Sequence, residues 1–221
     1  MCGRYTITVT LEELIARYIP EQVNLSYEPR YNVSPAQMAA AVISDGQANR
    51  MGMLKWGLIP SWTKDKPKGM INARAETLLE KPSFTVPFLR KRCLIPADSY
   101  YEWEAAATGK RPLRILLKSA GLFSFAGIYD TWTAQDGQKI SSFAIITTEA
   151  NAAFKEIHPR MPVILKPEDE AIWLDRTLQD PGRLMPLLRS YPAEEMTVYP
   201  VSAEVGNVRN DSPDCIKALG F

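Results

Sequence analysis

Residues 4–10 alternate, with Tyr5, Ile7 and Val9 on one side and threonines on the other, and predict a half-buried strand. Thr10 and Glu13 make a capping box that opens a short helix over residues 11–18. A strand is predicted over residues 38–43, closed by the turn pair Asp45-Gly46, with residues 51–59 as its hairpin partner. Periodicity then stops. From Pro60 to Gly69 the chain carries prolines, three lysines and Trp62, the composition of a surface loop. Asn72 reads as the N-cap of a helix opening over residues 72–77. Strands are expected at 93–95 and 100–103. The strongest β signal follows at 113–117, 122–129 and 142–147, divided by turn residues that include Asp136-Gly137. A short helix over 151–157 leads to His158. A strand at 163–165, helices near 167–174 and 184–190, and a strand at 197–201 complete the pattern. No repeat, low-complexity tract or long linker interrupts it. Residues 1–221 therefore read as one α+β domain with a mainly antiparallel core.

Composition narrows this picture. A chain of 221 residues with 46% hydrophobic content fills a sizeable core. A net charge of +1 gives no global field, so any nucleic-acid surface has to be local. The cysteines at 2, 93 and 215 show neither paired nor metal-ligand spacing, and there is a single histidine. That set argues for a reducing compartment, with neither metal nor cofactor expected. No apolar run reaches transmembrane length and no basic-then-apolar leader is visible, so a soluble, cytoplasmic protein with no membrane partner is expected.

The most distinctive chemistry lies in Met1-Cys2-Gly3-Arg4. Cysteine is small enough for the initiator methionine to be removed ahead of it, which leaves an α-amine and a thiol on adjacent carbons. The amine can condense with an aldehyde and the thiol can then close a thiazolidine ring, helped by a large effective molarity. The competing reading is an incidental cysteine. If residues 4–10 are a strand, Cys2 sits at the mouth of an ordered element. His158, in Ile157-His158-Pro159-Arg160, is either an ordinary core or surface histidine or a neutral-pH proton donor and acceptor. Glu102 lies between Tyr101 and Trp103 and faces opposite to both in a strand. It is a buried acid with a raised pKa if both faces are covered, and a solvent-facing carboxylate otherwise. Trp62 either packs over the sheet or stacks on nucleobases beside Lys64, Lys66 and Lys68. Arg74 and the run Arg90-Lys91-Arg92 add local positive charge, whose ordinary reading is a solvated face.

Together these features resemble the SOS-response-associated peptidase (SRAP) family of abasic-site processing proteins. The resemblance covers nearly the whole chain through MCGRYT at 1–6, YNVSP at 31–35, WGLIPSW at 56–62, INARAET at 71–77, RCLIPADSYYEW at 92–103, IHPRMPVIL at 157–165 and PVSAEVGNVRN at 200–210. It implies a β-rich, barrel-like core with short flanking helices, a monomer, and a positively charged groove for single-stranded DNA containing abasic sites. It also implies roles. Cys2 would be the nucleophile that forms a thiazolidine crosslink with the C1′ aldehyde, once Met1 has been removed, autoproteolytically in this reading. Asn72 would orient the cysteine and the opened sugar, Glu102 would act as acid and base beside the α-amine, and His158 would help open the deoxyribose. Arg4, Arg74 and Arg160 fall on DNA-contacting positions and Trp62 on an aromatic wedge. The chain departs from the family's motif at Pro159, where an acidic residue is usual. The alternatives are an N-terminal-nucleophile amidotransferase, a Cys–His protease and a non-catalytic single-strand-binding module. The first typically continues with Ile where this chain has Arg4.

Overall fold

A computed structural model describes residues 2–64, 68–106 and 109–220. Met1 and Lys66, both invoked above, lie outside the described residues. The first half of the chain runs β1 (Tyr5–Ile7), α1 (Leu11–Tyr18), β2 (Gln22–Asn24), β3 (Arg30–Val33), β4 (Met38–Ser44), β5 (Asn49–Trp56), β6 (Asn72–Arg74), α2 (Pro82–Arg90) and β7 (Arg92–Ala97). There follow β8 (Ser99–Ala106), β9 (Gly109–Leu117), β10 (Phe123–Thr133), β11 (Lys139–Glu149), β12 (Arg160–Pro162), β13 (Ile164–Leu165), α3 (Pro167–Leu174), α4 (Pro181–Leu184) and β14 (Met196–Pro200). No described helix is long and apolar enough to cross a membrane.

Five strands close on themselves. β10 pairs antiparallel with β11 and with β7, β7 with β4, and β4 with β5; a parallel seam between β5 and β11 (Ser142↔Lys55, Phe143↔Trp56) shuts the barrel. A second, antiparallel sheet, ordered β14-β9-β8-β1-β3, lies against it. Register decides which face meets the barrel. Tyr5 and Tyr100 are paired on β1 and β8, and their rings meet Trp56 and Phe125 at centroid distances of 5.3 and 6.1 Å respectively. Alternation turns Tyr101 to the other face, where Val201, Val205 and Cys215 of the C-terminal segment cover it. Both faces of β8 are thus buried, and each large side chain so buried contributes about 1.5–3 kcal/mol.

The single α+β architecture, the antiparallel bias and the main hairpins agree with the sequence pattern. The capping box at Thr10 and Glu13 is present in both directions. Several local expectations differ from the structure. β1 stops at Ile7 and is buried on both faces, because Thr6 packs inward beside Asp98 and Ser99. Residues 72–74 form strand β6, paired in parallel with β11, and only one 3-10 turn (Ala75–Thr77) follows; tertiary pairing overrides the capping tendency of Asn72. Residues 151–157 fold as turns in which Asn151 Oδ1 still accepts the Phe154 amide at 3.1 Å. Near residues 184–190 the helix is α4 followed by a 3-10 turn, as Pro186 offers no amide to continue an α-helix. The basic run is a solvated face only at Arg90, which is exposed. Lys91 pairs with Asp130, while buried Arg92 donates to the carbonyls of Phe88, Leu89, Trp173, Asp175 and Leu178 and so caps the converging ends of α2 and α3.

Candidate functional site

The N-terminal segment enters β1 beside β8, and this adjacency builds the site. Glu102 is two residues beyond Tyr100 and shares its inward face, so it is only 5% exposed. The solvent-facing alternative for Glu102 is thereby excluded. Asn72, at the start of β6, donates from Nδ2 to the Cys2 carbonyl at 2.9 Å. His158 precedes β12, and its Nδ1 lies 3.0 Å from both the amide and the carbonyl of Arg160. A neutral ring can accept that amide and an imidazolium can donate to that carbonyl, so the same backbone serves both protonation states. Glu102 and His158 line one cleft of about 420 Å³ with Trp103, Lys110 and Gly206. The four residues expected to carry chemistry therefore meet: Asn72 at Cys2, Cys2 within electrostatic reach of Glu102, and Glu102 within reach of His158.

The electrostatics follow from burial. Cys2, just ahead of β1, has no exposed surface. Its desolvation, then the charge of Glu102, push the thiol well above its ordinary pKa. Burial also raises the Glu102 carboxyl, with His158 among the groups that oppose the rise. Asn72 Oδ1 and the Tyr100 hydroxyl are buried without a hydrogen-bond partner among the described residues. Such orphans are costly in a native interior and concentrate at functional sites. Tyr100 was not among the expected site residues, although its place on the inward face beside Glu102 was readable from alternation.

The expected DNA contacts are placed differently from one another. Arg74 is exposed. Arg160 forms a bidentate pair with Glu76, both bonds 2.8 Å, and donates to the Thr147 carbonyl at 2.6 Å. Arg4 is buried. It donates to Asn32 Oδ1 (2.7 Å) and to the Val205 and Gly206 carbonyls (2.8 and 3.3 Å), with its guanidinium over the Trp103 ring. It sits behind the cleft wall and braces Trp103 and Gly206 there, a placement at odds with a direct phosphate contact. Trp62 is 64% exposed, so the reading in which it packs over the sheet fails. Its loop is pinned beneath it: Ser61 N donates to Asp130 Oδ2, Trp132 Nε1 to the Thr63 carbonyl, both at 2.7 Å, and Leu58 bridges Met70.

Residues 1–208 match the sequence model described as SOS response associated peptidase (SRAP). The chain is 47% identical to the abasic site processing protein YoqW of Bacillus subtilis (strain 168), over 99% of this chain and 100% of that one. It is 35% identical to the abasic site processing protein HMCES of Gallus gallus, over 86% of this chain and 66% of that one. A crystal structure of a protein from Bacteroides thetaiotaomicron superposes with a TM-score of 0.87 at 28% identity, covering 99% of this chain and all of that one (100%). With its family motifs matched from Met1 onward and near-half identity to a relative over its full length, the chain belongs to the SOS response associated peptidase (SRAP) family.

Proposed function

We propose that this protein traps abasic sites in single-stranded DNA as a covalent thiazolidine adduct on Cys2. Relatives named for abasic site processing support the substrate. The observation that carries the chemistry is the meeting of Cys2 and Asn72 with the cleft of Glu102 and His158.

Met1 first leaves by addition of water across its peptide bond to Cys2, which frees the α-amine. An abasic sugar opens to its C1′ aldehyde when its hemiacetal hydroxyl loses a proton and its ring oxygen gains one; Glu102 and His158 supply that pair of transfers. The amine adds to the aldehyde, water departs and an imine forms. The thiol then adds across the C=N bond: sulfur bonds to C1′ and the thiol proton ends on nitrogen. One water is lost overall from amine, thiol and aldehyde, with no change of oxidation state. The order follows from the energetics. A thiol held high by burial stays protonated at neutral pH, whereas an ordinary α-amine is in part neutral there and attacks first. Asn72 fixes the Cys2 carbonyl and with it the direction of both nucleophiles. Outside the cleft, exposed Arg74, Lys64 and Lys68 contact phosphates and Trp62 stacks on a base. Arg160, engaged by Glu76 and the Thr147 carbonyl, and buried Arg4 act from within the fold.

Intact mass after incubation with an abasic single-stranded oligonucleotide tests this. The expected product is the sum of the Met1-free protein and the oligonucleotide less one water, stable to denaturation and absent in Cys2→Ala. A complex that salt reverses and Cys2→Ala leaves unchanged would identify a binding module and overturn the proposal. Glutaminase activity would identify the amidotransferase instead.

A further inference from the structure

Glu76 belongs to neither the expected site nor the core. It lies on the 3-10 turn after β6, and its side chain is 46% exposed, against 14% for that of Arg160. An ion pair at such a surface contributes only about 0–1 kcal/mol, so stability is a poor reason for it. Its geometry is more informative. Two parallel 2.8 Å bonds join the Glu76 carboxylate to Nη1 and Nη2 of Arg160, and that Nη2 is also held by the Thr147 carbonyl. This fork fixes the plane of the guanidinium as well as its position.

The topology shows what the fork connects. β11 lies between β6 and β12: Ile145 is in register with Asn72 and Thr147 with Arg74 on one side, while Glu149 is in register with Arg160 on the other. Both flanking strands have only three residues, so few ladder bonds hold either one. Asn72 opens β6 and reaches Cys2; Arg160 opens β12 and holds the His158 ring at its own amide and carbonyl. Arg160 is therefore engaged at both ends, by Glu76 at its guanidinium and by His158 at its backbone.

We propose that Glu76 is a positioning residue: its forked pair with Arg160 staples β6 to β12 across β11 and so sets Asn72 and His158 in fixed relation to Cys2. The hydrogen bonds from Arg160 hold the Glu76 carboxyl below its usual pKa, so the staple is ionised under ordinary conditions. The meaning of this fixed relation rests on the crosslinking chemistry proposed above, but the staple itself can be tested apart from it.

Glu76→Gln removes the charge and half of the fork with little change in volume; Glu76→Asp keeps the charge. Each is compared with the parent in two measurements. In single-turnover crosslinking at saturating abasic oligonucleotide, Glu76→Gln is expected to slow the rate constant about tenfold, the cost of a small misplacement of reacting groups, and Glu76→Asp to recover part of it. Binding of an oligonucleotide carrying an unreactive tetrahydrofuran site is expected to stay unchanged. The second measurement needs no activity. His158 is the single histidine, so its Cε1–H resonance is one NMR signal, expected to shift and broaden in Glu76→Gln and to return towards the parent in Glu76→Asp. An unaltered His158 signal in Glu76→Gln overturns the staple. So does tighter binding of the tetrahydrofuran oligonucleotide, which would make Glu76 a competitor with phosphate for Arg160. A parent protein that forms no adduct would overturn the proposed function, and the His158 signal would still decide the role of Glu76.

Discussion

Burial raises the Glu102 carboxyl, as the proton-transfer role proposed for it requires, at a cost in stability. Its folded-state pKa lies above the ordinary carboxylate value, so the folded protein keeps this proton to a higher pH than the unfolded chain does. The stability this group contributes is complete below the unfolded carboxylate pKa, and it is lost as pH rises through the raised value. Glu102→Gln is therefore expected to raise Tm at neutral pH, by about 2–4 °C if about 1 kcal/mol is recovered, while abolishing crosslinking. The gain in Tm should vanish near pH 4, where both forms are neutral. Thermal melts of parent and variant at pH 4 and pH 7 check it, and equal melts at pH 7 would contradict it. Much of this residue's environment was readable from the chain, since alternation along β8 separates Glu102 and Tyr100 from Tyr101 and Trp103. What alternation cannot reveal is whether the second face is covered, because Val201 and Val205 lie a hundred residues further along. The same blindness hid the inward turn of Arg4 and Arg92. An arginine in a sequence carries no sign of which carbonyls will converge on it.

At the scale of elements, what matters is how the ends of a segment with no internal periodicity present Trp62 to solvent. Its base is two backbone strips in contact. A Cβ on Gly69 would stand 2.4 Å from the Gly57 carbonyl oxygen, and Gly57 itself has φ of +128°. Gly69→Ala must therefore push these strips apart and disturb the Leu58–Met70 bridge, at about 1–3 kcal/mol for the overpacking. Fluorescence quenching of Trp62 by a single-stranded oligonucleotide is expected to weaken in Gly69→Ala, with a lower Tm and an intact Cys2 site. Each spectrum is read against its Trp62→Phe counterpart to isolate this tryptophan among the chain's five. Undiminished quenching would show that the loop base is not what orients Trp62. Elements built from neighbouring residues were the legible ones: the capped helix α1, the β4–β5 hairpin and the long strands β10 and β11. Those built by distant pairing were not. β6 looks like a helix start because its partner, β11, arrives some seventy residues later and in parallel, and closure of the barrel depends on another such parallel seam.

A nearly neutral molecule with the polyanionic substrate proposed above has little electrostatic affinity to draw on. The net charge is +1, and of the cations expected to meet DNA, Arg4 is buried and Arg160 is already engaged by Glu76. Arg74, Lys64 and Lys68 remain exposed. If each neutralises one phosphate, log K for an intact single strand should fall with log salt at a slope of about −2, from about −0.7 per contact. Such shallow, weak binding suits the proposed mechanism, in which commitment comes from a bond rather than from contacts: encounter would need to last only until the amine finds an aldehyde, after which dissociation would no longer compete. Salt should therefore slow the formation of adduct at limiting protein yet leave the formed adduct untouched. Titrations of an undamaged oligonucleotide between 50 and 300 mM salt, run beside denaturing gels of the abasic reaction at the same concentrations, separate the two effects. A slope far steeper than −2 would reveal a wider basic surface than Arg74, Lys64 and Lys68 provide, and an adduct that high salt dissolves would show that no covalent bond had formed.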